Sequence, residues 1–268
     1  MTLAIFQHHI EHWRLIPDGE PIHTHSSDLL PVRFGEIAAM LKIARAEEER
    51  LGHVLLEWWD GAGAVRVLAK DETAQLLVRA CGPASLLEMV KAGRDAEASE
   101  IICAVAAQLH TPREKPLPPL IPLREWFAAL SPAAQRYGAI LHRSSEVADY
   151  LLENPQDVCA LHGDLHHSNV LDDGHEWLAI DPKGLVGERG YDFANIFCNP
   201  DLETAIVPGR LACQVEVVAH AANLDRTRLL QWIAAYAGLS AAWTIDDGDD
   251  ATLALTVATL AIEELQRA

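Results

Sequence analysis

The chain has 268 residues, 50% of them hydrophobic and 22% charged, which suits one large domain or two lobes around a cleft and excludes a disordered chain. A net charge of -18 and a pI near 5.0 set nucleic acid and anionic membrane aside as partners and favour a cationic one. Cys81, Cys103, Cys159, Cys198 and Cys213 form no C-x-x-C pair, so neither a disulfide framework nor a zinc cluster is expected.

Residues 1–13 carry no basic, apolar leader, and no run is long enough to span a bilayer; a cytoplasmic location is expected. The first third reads as β-rich. Residues 21–34 form a predicted hairpin with its turn at 24–28, and a strand follows over 36–43. Residues 45–59 predict a helix, with Leu51, Val54, Leu55 and Trp58 three or four apart. Two short apolar runs, 64–69 and 75–80, read as paired strands, and Cys81-Gly82-Pro83 breaks the pattern as a hinge. Helical periodicity then covers 95–110, a four-proline crossing occupies 115–122, and helices resume over 124–130 and 132–152. A β island, at 158–161, 170–171 and 177–180, interrupts the helical half before three closing helices at 211–222, 227–237 and 252–266. The expected architecture is α+β and two-lobed, with residues 1–82 as the smaller lobe and 83–268 as the larger.

The chemistry concentrates in Leu161-His162-Gly163-Asp164-Leu165-His166-His167-Ser168-Asn169-Val170-Leu171. Its core is H-x-D-x-x-x-x-N, the spacing of a kinase catalytic loop, in which the Asp lies beside the acceptor hydroxyl and the Asn binds magnesium. Triphosphate oxygens repel a nucleophile, so a metal must neutralise them and a carboxylate must orient the hydroxyl. Asp164 suits the second task and Asn169 the first; plain turn chemistry is the competing explanation. Twelve residues on, Trp177-Leu178-Ala179-Ile180 runs into Asp181-Pro182, which places a hard oxygen ligand where a second metal contact belongs, unless Asp181 merely ends the strand. His162 reads as an inward-packed residue that fixes the loop. Zinc at His162, His166 and His167 lacks a further well-spaced ligand.

Lys42 ends an apolar strand with its ammonium toward the cleft and can reach the α- and β-phosphates; an edge lysine in solvent is the alternative. One of Glu47, Glu48 and Glu49 should pair with it, and Glu49 is favoured over a merely solvated charge run. Ser26 and Ser27 can cover the phosphates from the hairpin turn. The backbone at Arg79, Ala80 and Cys81 can hold adenine. Asp192, with Asn195 beside it, looks structural, either capping a helix or bracing the catalytic loop.

These residues resemble the aminoglycoside phosphotransferases, and more closely their streptomycin 6-kinase and hydroxyurea antibiotic-resistance kinase branch. The likeness rests on residues 161–171, on Ile180-Asp181-Pro182-Lys183-Gly184-Leu185-Val186-Gly187-Glu188, on Tyr191-Asp192-Phe193-Ala194-Asn195, and on Gly238-Leu239-Ser240-Ala241-Ala242-Trp243. It also takes in Ser26-Ser27 and Gly63-Ala64-Val65-Arg66-Val67-Leu68. The resemblance implies a protein-kinase-like fold, ATP with Mg2+, Asp164 as catalytic aspartate, Asn169 and Asp181 as metal ligands, Lys42 as phosphate lysine and Asp192 as a structural residue. It suggests an aminocyclitol hydroxyl as acceptor.

A cationic sugar would need carboxylates, which match guanidinium forks. Asp246, Asp247, Asp249 and Asp250, with Glu263 and Glu264 on the last helix, are candidates, as is Glu188; a solvated loop and helix face is the alternative for the C-terminal set. Three functions remain open: an antibiotic O-phosphotransferase, a kinase of a metabolic alcohol such as choline, a sugar or a hydroxylated amino acid, and an idle nucleotide-binding module.

Overall fold

A computed structural model describes residues 3–24, 27–45 and 49–267. Ser26, Glu47 and Glu48 lie outside the described residues, as does the side chain of Glu49.

Helix α1 (Gln7–His12) precedes strands β1 (Ile16–Pro17), β2 (Ile22–His23), β3 (Ser27–Phe34) and β4 (Ile37–Ala44). After α2 (Glu49–Trp59) come β5 (Val67–Lys70) and β6 (Ala74–Val78). The strands form one antiparallel sheet in the order β1-β3-β4-β6-β5, with β2 on β3. Alternation decides what each face does. Leu30, Val32, Ala39, Leu41, Ala74 and Leu76 point to one side and bury Phe6 and Leu15 beneath α1. The opposite parity turns Leu29, Met40, Lys42 and Leu77 toward a cleft. The amphipathic face of α2 buries Leu55, Leu56 and Trp59 in the main core, and the Trp59 indole N–H donates to Leu109 O at 3.0 Å.

Asp172 fastens the segment that leaves the sheet. Its main-chain oxygen accepts Gly82 N–H at 2.8 Å, its carboxylate accepts Ala84 N–H at 3.0 Å, and a Cβ on Gly82 would collide with that carboxylate. Helices α3 (Leu86–Lys91) and α4 (Asp95–Leu109) follow, then β7 (Ile121–Pro122), α5 (Leu123–Trp126), α6 (Leu130–Tyr137) and α7 (Ala139–Glu153). The proline crossing thus ends in a short strand. The single helix expected over 132–152 is broken at Gly138, whose φ of +99° no helical residue adopts.

The β island contains β8 (Val158–Leu161), β9 (Val170–Asp172), β10 (Trp177–Ala179) and β11 (Leu185–Glu188). Strands β9 and β10 pair antiparallel, and β11 lies between β7 and β8. Val65 N–H to Ala179 O and Ala179 N–H to Gly63 O, 3.0 and 2.9 Å, stitch this island to the start of the sheet's last hairpin. Helices α8 (Tyr191–Ala194), α9 (Leu202–Ala205), α10 (Arg210–Ala222), α11 (Arg226–Asp246) and α12 (Thr252–Leu265) complete the fold. Helix α11 is the buried axis of the helical part and runs nine residues beyond its expected end. The α+β, two-lobed architecture is present, and no helix among the described residues is long and apolar enough to cross a membrane.

Candidate active site

The loop from His162 to Asn169 links β8 to β9 and is braced from behind. Asp192 accepts the main-chain N–H groups of His162 and Gly163 at 2.9 and 2.8 Å and pairs with His110 Nε2 at 2.8 Å. Burial alone would raise its pKa, but the His110 partner and the loop amides hold the carboxyl below the usual range. Asp192 does not cap α8, whose N-cap is Gly190 without a side-chain hydrogen bond; its lone pairs face the loop instead.

His162 is fully buried and stacks on Trp59. Its Nδ1 accepts Asp164 N–H at 3.2 Å, so Nε2 carries the proton and donates to Ile180 O at 2.8 Å. Burial pushes its pKa down to about 4, which keeps the ring neutral. Lys183 N–H returns to His162 O at 2.7 Å. The two bonds hold the catalytic loop and the turn 180–183 as one piece. Within that turn Asp181 has φ +62°, a left-handed conformation that Asp tolerates better than bulkier residues.

Asp164 accepts from Asn195 Nδ2 at 2.8 Å through one oxygen and from Asn169 Nδ2 at 3.2 Å through the other. Asn169 Nδ2 also donates to Asp164 O at 2.9 Å. Both partners are acceptors, which fixes the amide orientation and makes the carbonyl oxygen Asn169's remaining polar atom. Burial raises the Asp164 pKa, making its carboxylate a stronger base than an exposed one. His166 Nε2 and Lys183 Nζ both lie 3.8 Å from this carboxylate. Lys42 reaches across from the sheet to pair with Asp181 Oδ1, and Lys183 Nζ lies 3.6 Å from Asp181 Oδ2. Lys42, over a hundred residues earlier in the chain, is thus brought to Asp164, Asn169 and Asp181.

Two cavities meet at this floor. One, of about 400 Å³, lies under the sheet between Met40, Leu77, Val65 and Leu171, with Lys42, Asn169 and Asp181 at its polar end. Ser27, Arg79 and Ala80 line it; Cys81 lies just outside, its Sγ on Arg79 O. The other, of about 270 Å³, opens beyond Asp164 and His166 and is walled by Asn195, Tyr236, Ser240, Thr244 and Asp250. The first has apolar walls suited to a flat ring and a cationic end suited to phosphates. The oxygens of Asn169 and Asp181 are hard donors matched to Mg2+, which keeps waters and phosphate in its other positions. Among the described residues, no group of three or more His, Cys, Asp or Glu is arranged to hold a metal by itself.

Several acidic candidates lie elsewhere. Glu188 is buried with all its lone pairs engaged: Arg228 Nε at 2.8 Å, Arg228 Nη2, Trp232 Nε1 at 2.7 Å and Gln156 N–H at 2.9 Å. It clasps α11 to β11 and cannot receive a ligand. Glu264 pairs with Arg226 and Arg267, and Glu263 with Arg267. Neither lines the acceptor-side pocket, nor do Asp246 and Asp247; Asp250 does. Sequence reasoning treated Asn195 as structural and passed over Lys183 and His110. Asn195 reaches Asp164 from another element, which no local pattern records.

The chain matches the profile of the family described as aminoglycoside/hydroxyurea antibiotic resistance kinase over residues 12–248. It is 52% identical over 245 residues to streptomycin 3''-kinase of Klebsiella pneumoniae, covering 89% of this chain and 92% of that protein. With streptomycin 6-kinase of Streptomyces glaucescens the identity is 30% over 277 residues, covering 92% and 84%. Among solved structures, aminoglycoside phosphotransferase APH(4)-Ia superposes with a TM-score of 0.72 at 15% identity, covering 98% and 99% of the two chains. Choline kinase of Cryptosporidium parvum gives 0.65 at 12% identity, covering 99% and 96%, which shows how widely the fold is shared. The chain belongs to the aminoglycoside/hydroxyurea antibiotic resistance kinase family and is a phosphotransferase with a hydroxyl acceptor.

Proposed function

We propose that this protein transfers the γ-phosphoryl group of ATP to the 3''-hydroxyl of streptomycin. The observation that carries the chemistry is Asp164, a carboxylate held by two amides where the two cavities meet. The acceptor follows from the 52% identity to a streptomycin 3''-kinase, against 30% to the 6-kinases. The boundary between an ATP-binding lobe (1–82) and an acceptor-binding lobe (83–268) then falls at Gly82. A cytoplasmic location, where ATP is supplied, is part of this proposal.

Adenine enters between Met40, Val65 and Leu77, against the backbone of Ala80 and Cys81. Lys42 turns from Asp181 to the phosphates. Asn169 and Asp181 would hold Mg2+, which would supply neutralising charge at the phosphate oxygens. Asp164 orients the hydroxyl, whose oxygen bonds to the γ-phosphorus as the bond to the bridging oxygen breaks. That electron pair leaves on ADP, and the hydroxyl proton passes to Asp164 and then to solvent. The acidic surface draws the cationic drug toward the site.

The test is ADP release with ATP, Mg2+ and streptomycin, followed by NMR location of the new phosphate ester. Turnover with phosphate on the 3''-oxygen is expected. Binding of ATP without turnover of streptomycin would remove this acceptor; an ester at the 6-position would correct the regiochemistry.

A further inference from the structure

Asp164 serves the transfer only while one of its oxygens faces the acceptor hydroxyl, and a carboxylate can turn about its side-chain bonds. Asn195 opposes that turning. It is 5% exposed, and its Nδ2 donates to Asp164 Oδ1 at 2.8 Å. An asparagine can present either its NH2 or its carbonyl oxygen to a neighbour. Turned oxygen-first, Asn195 would set a lone pair against the carboxylate in place of a charge-assisted hydrogen bond. The direction of this one amide decides whether Asp164 is held or pushed away.

Asn199 sets that direction. Its Nδ2 donates to both Asn195 O and Asn195 Oδ1 at 2.9 Å. A main-chain oxygen only accepts, so the NH2 of Asn199 has to face Asn195. With a donor already on its Oδ1, Asn195 has only its NH2 to give to Asp164. The two asparagines stand at either end of one 3-10 turn, Asn195 opening it and Asn199 directly after Cys198. Asn199 is itself anchored. Its main-chain oxygen accepts Arg210 Nη2 at 3.1 Å, and the buried Arg210 of α10 pairs with Asp95 of α4 at 2.6 and 3.1 Å. Three successive donors, Arg210, Asn199 and Asn195, point toward Asp164, the arrangement in which hydrogen bonds polarise and strengthen one another.

We propose that Asn199, which stands one amide removed from Asp164, is a positioning residue for the transfer: it orients the Asn195 amide and, through it, aims the Asp164 carboxylate at the acceptor hydroxyl. This role rests on the phosphotransfer reading above but not on streptomycin as acceptor. Asn199 also lines the acceptor-side pocket. A residue that merely walled the sugar would act on KM, whereas one that aims the base acts on kcat.

The test is a cycle of Asn199→Ala, Asn195→Ala and the double variant, with Asn199→Asp beside it, assayed for kcat and for the KM of ATP and of streptomycin. Asn199→Ala is expected to lower kcat about tenfold and Asn195→Ala about 10²-fold, each with both KM values within about threefold of wild type. The double variant should fall no further than Asn195→Ala, within about twofold, because Asn199 acts through Asn195. Asn199→Asp keeps the shape and attracts the Asn195 NH2, turning its oxygen onto Asp164, so it should cost about 10²-fold, more than the smaller alanine. Additive losses in the double variant overturn the proposal. So does a rise in streptomycin KM with kcat unchanged, which marks a pocket wall and nothing more. The second measurement needs no acceptor: the NMR resonance of the Asn195 side-chain amide, assigned by its loss in Asn195→Ala. Asp164→Ala moves it in the wild-type background and should move it at most about half as far in the Asn199→Ala background. An equal displacement in both overturns the proposal. If streptomycin is inert yet this coupling appears, the acceptor assignment fails and Asn199 stands. If streptomycin turns over and Asn199→Ala keeps wild-type kcat, Asn199 falls and the acceptor stands.

Discussion

The cavity under the sheet and the pocket beyond Asp164 share a floor and little else. The first is walled by apolar side chains on paired strands, Met40 on β4, Leu77 on β6 and Leu171 on β9. Their direction follows from strand parity. The second is walled by short polar side chains from a 3-10 turn, the middle of α11 and the turn before α12. Tyr236, Ser240 and Thr244 are spaced by four and form one stripe of a helix whose other faces are buried. A ligand shared across a fold needs only the first kind of wall. On the proposed reading, acceptor choice resides in the second, which can change without disturbing the phosphate end.

The sharpest way to break this division is Asp164→Ala. Losing the base should cost about 10³-fold in kcat, while ADP affinity, measured calorimetrically, stays within about twofold. A large loss of ADP affinity would mean that the two cavities are not independent.

Acid attacks the floor they share. His162 and His167 are buried in the catalytic loop, and burial lowers each to about 4. An unfolded histidine titrates near 6.5. Between those values the unfolded chain binds more protons, so stability falls as pH drops from about 6.5 to 4. Each imidazole contributes on the order of 3 kcal/mol to that fall. Asp192, with its pKa lowered, keeps its contribution over this window and loses it only below about 4. Melting temperature across this range should therefore drop steeply, and less so in His167→Met, whose parent ring has no hydrogen-bond partner on either nitrogen among the described residues. A flat profile contradicts the buried, neutral histidines.

A smaller effect separates the pockets from the acceptor side. Asp250 accepts Thr252 N–H at 3.0 Å in the turn before α12 and lines the pocket. Asp250→Asn keeps an oxygen acceptor for Thr252 N–H and drops the charge. KM for streptomycin should rise about tenfold with KM for ATP unchanged. Smallest of all is Asp247→Asn, outside both cavities, expected to shift stability by less than about 0.5 kcal/mol and rate not at all.

Sequence legibility divides along the same line. Asp164, Asn169 and Asp181 could be read because their geometry is local: one loop and one strand end. Lys42 could be read from strand alternation. Glu188 was misjudged because the groups that saturate it, Arg228 and Trp232, come from a helix some forty residues on. Asn195 reaches Asp164 through space, and nothing in its neighbours distinguishes it. Helix α11 seemed to stop at Ala237 because small residues follow; Gly238 is small because a Cβ there would collide with Ser144 of α7. Close packing of two helices looked, in sequence, like the end of one.

The contact between Lys42 and Asp181 has a further consequence. It joins the sheet to the catalytic turn across the polar end of the cleft, opposite charge against opposite charge. A nucleotide offers the lysine a phosphate in exchange for the carboxylate it gives up, a near-even trade. A bare nucleoside offers nothing and leaves the contact in place. On the proposed reading, this contact favours ligands that carry phosphates over those that do not.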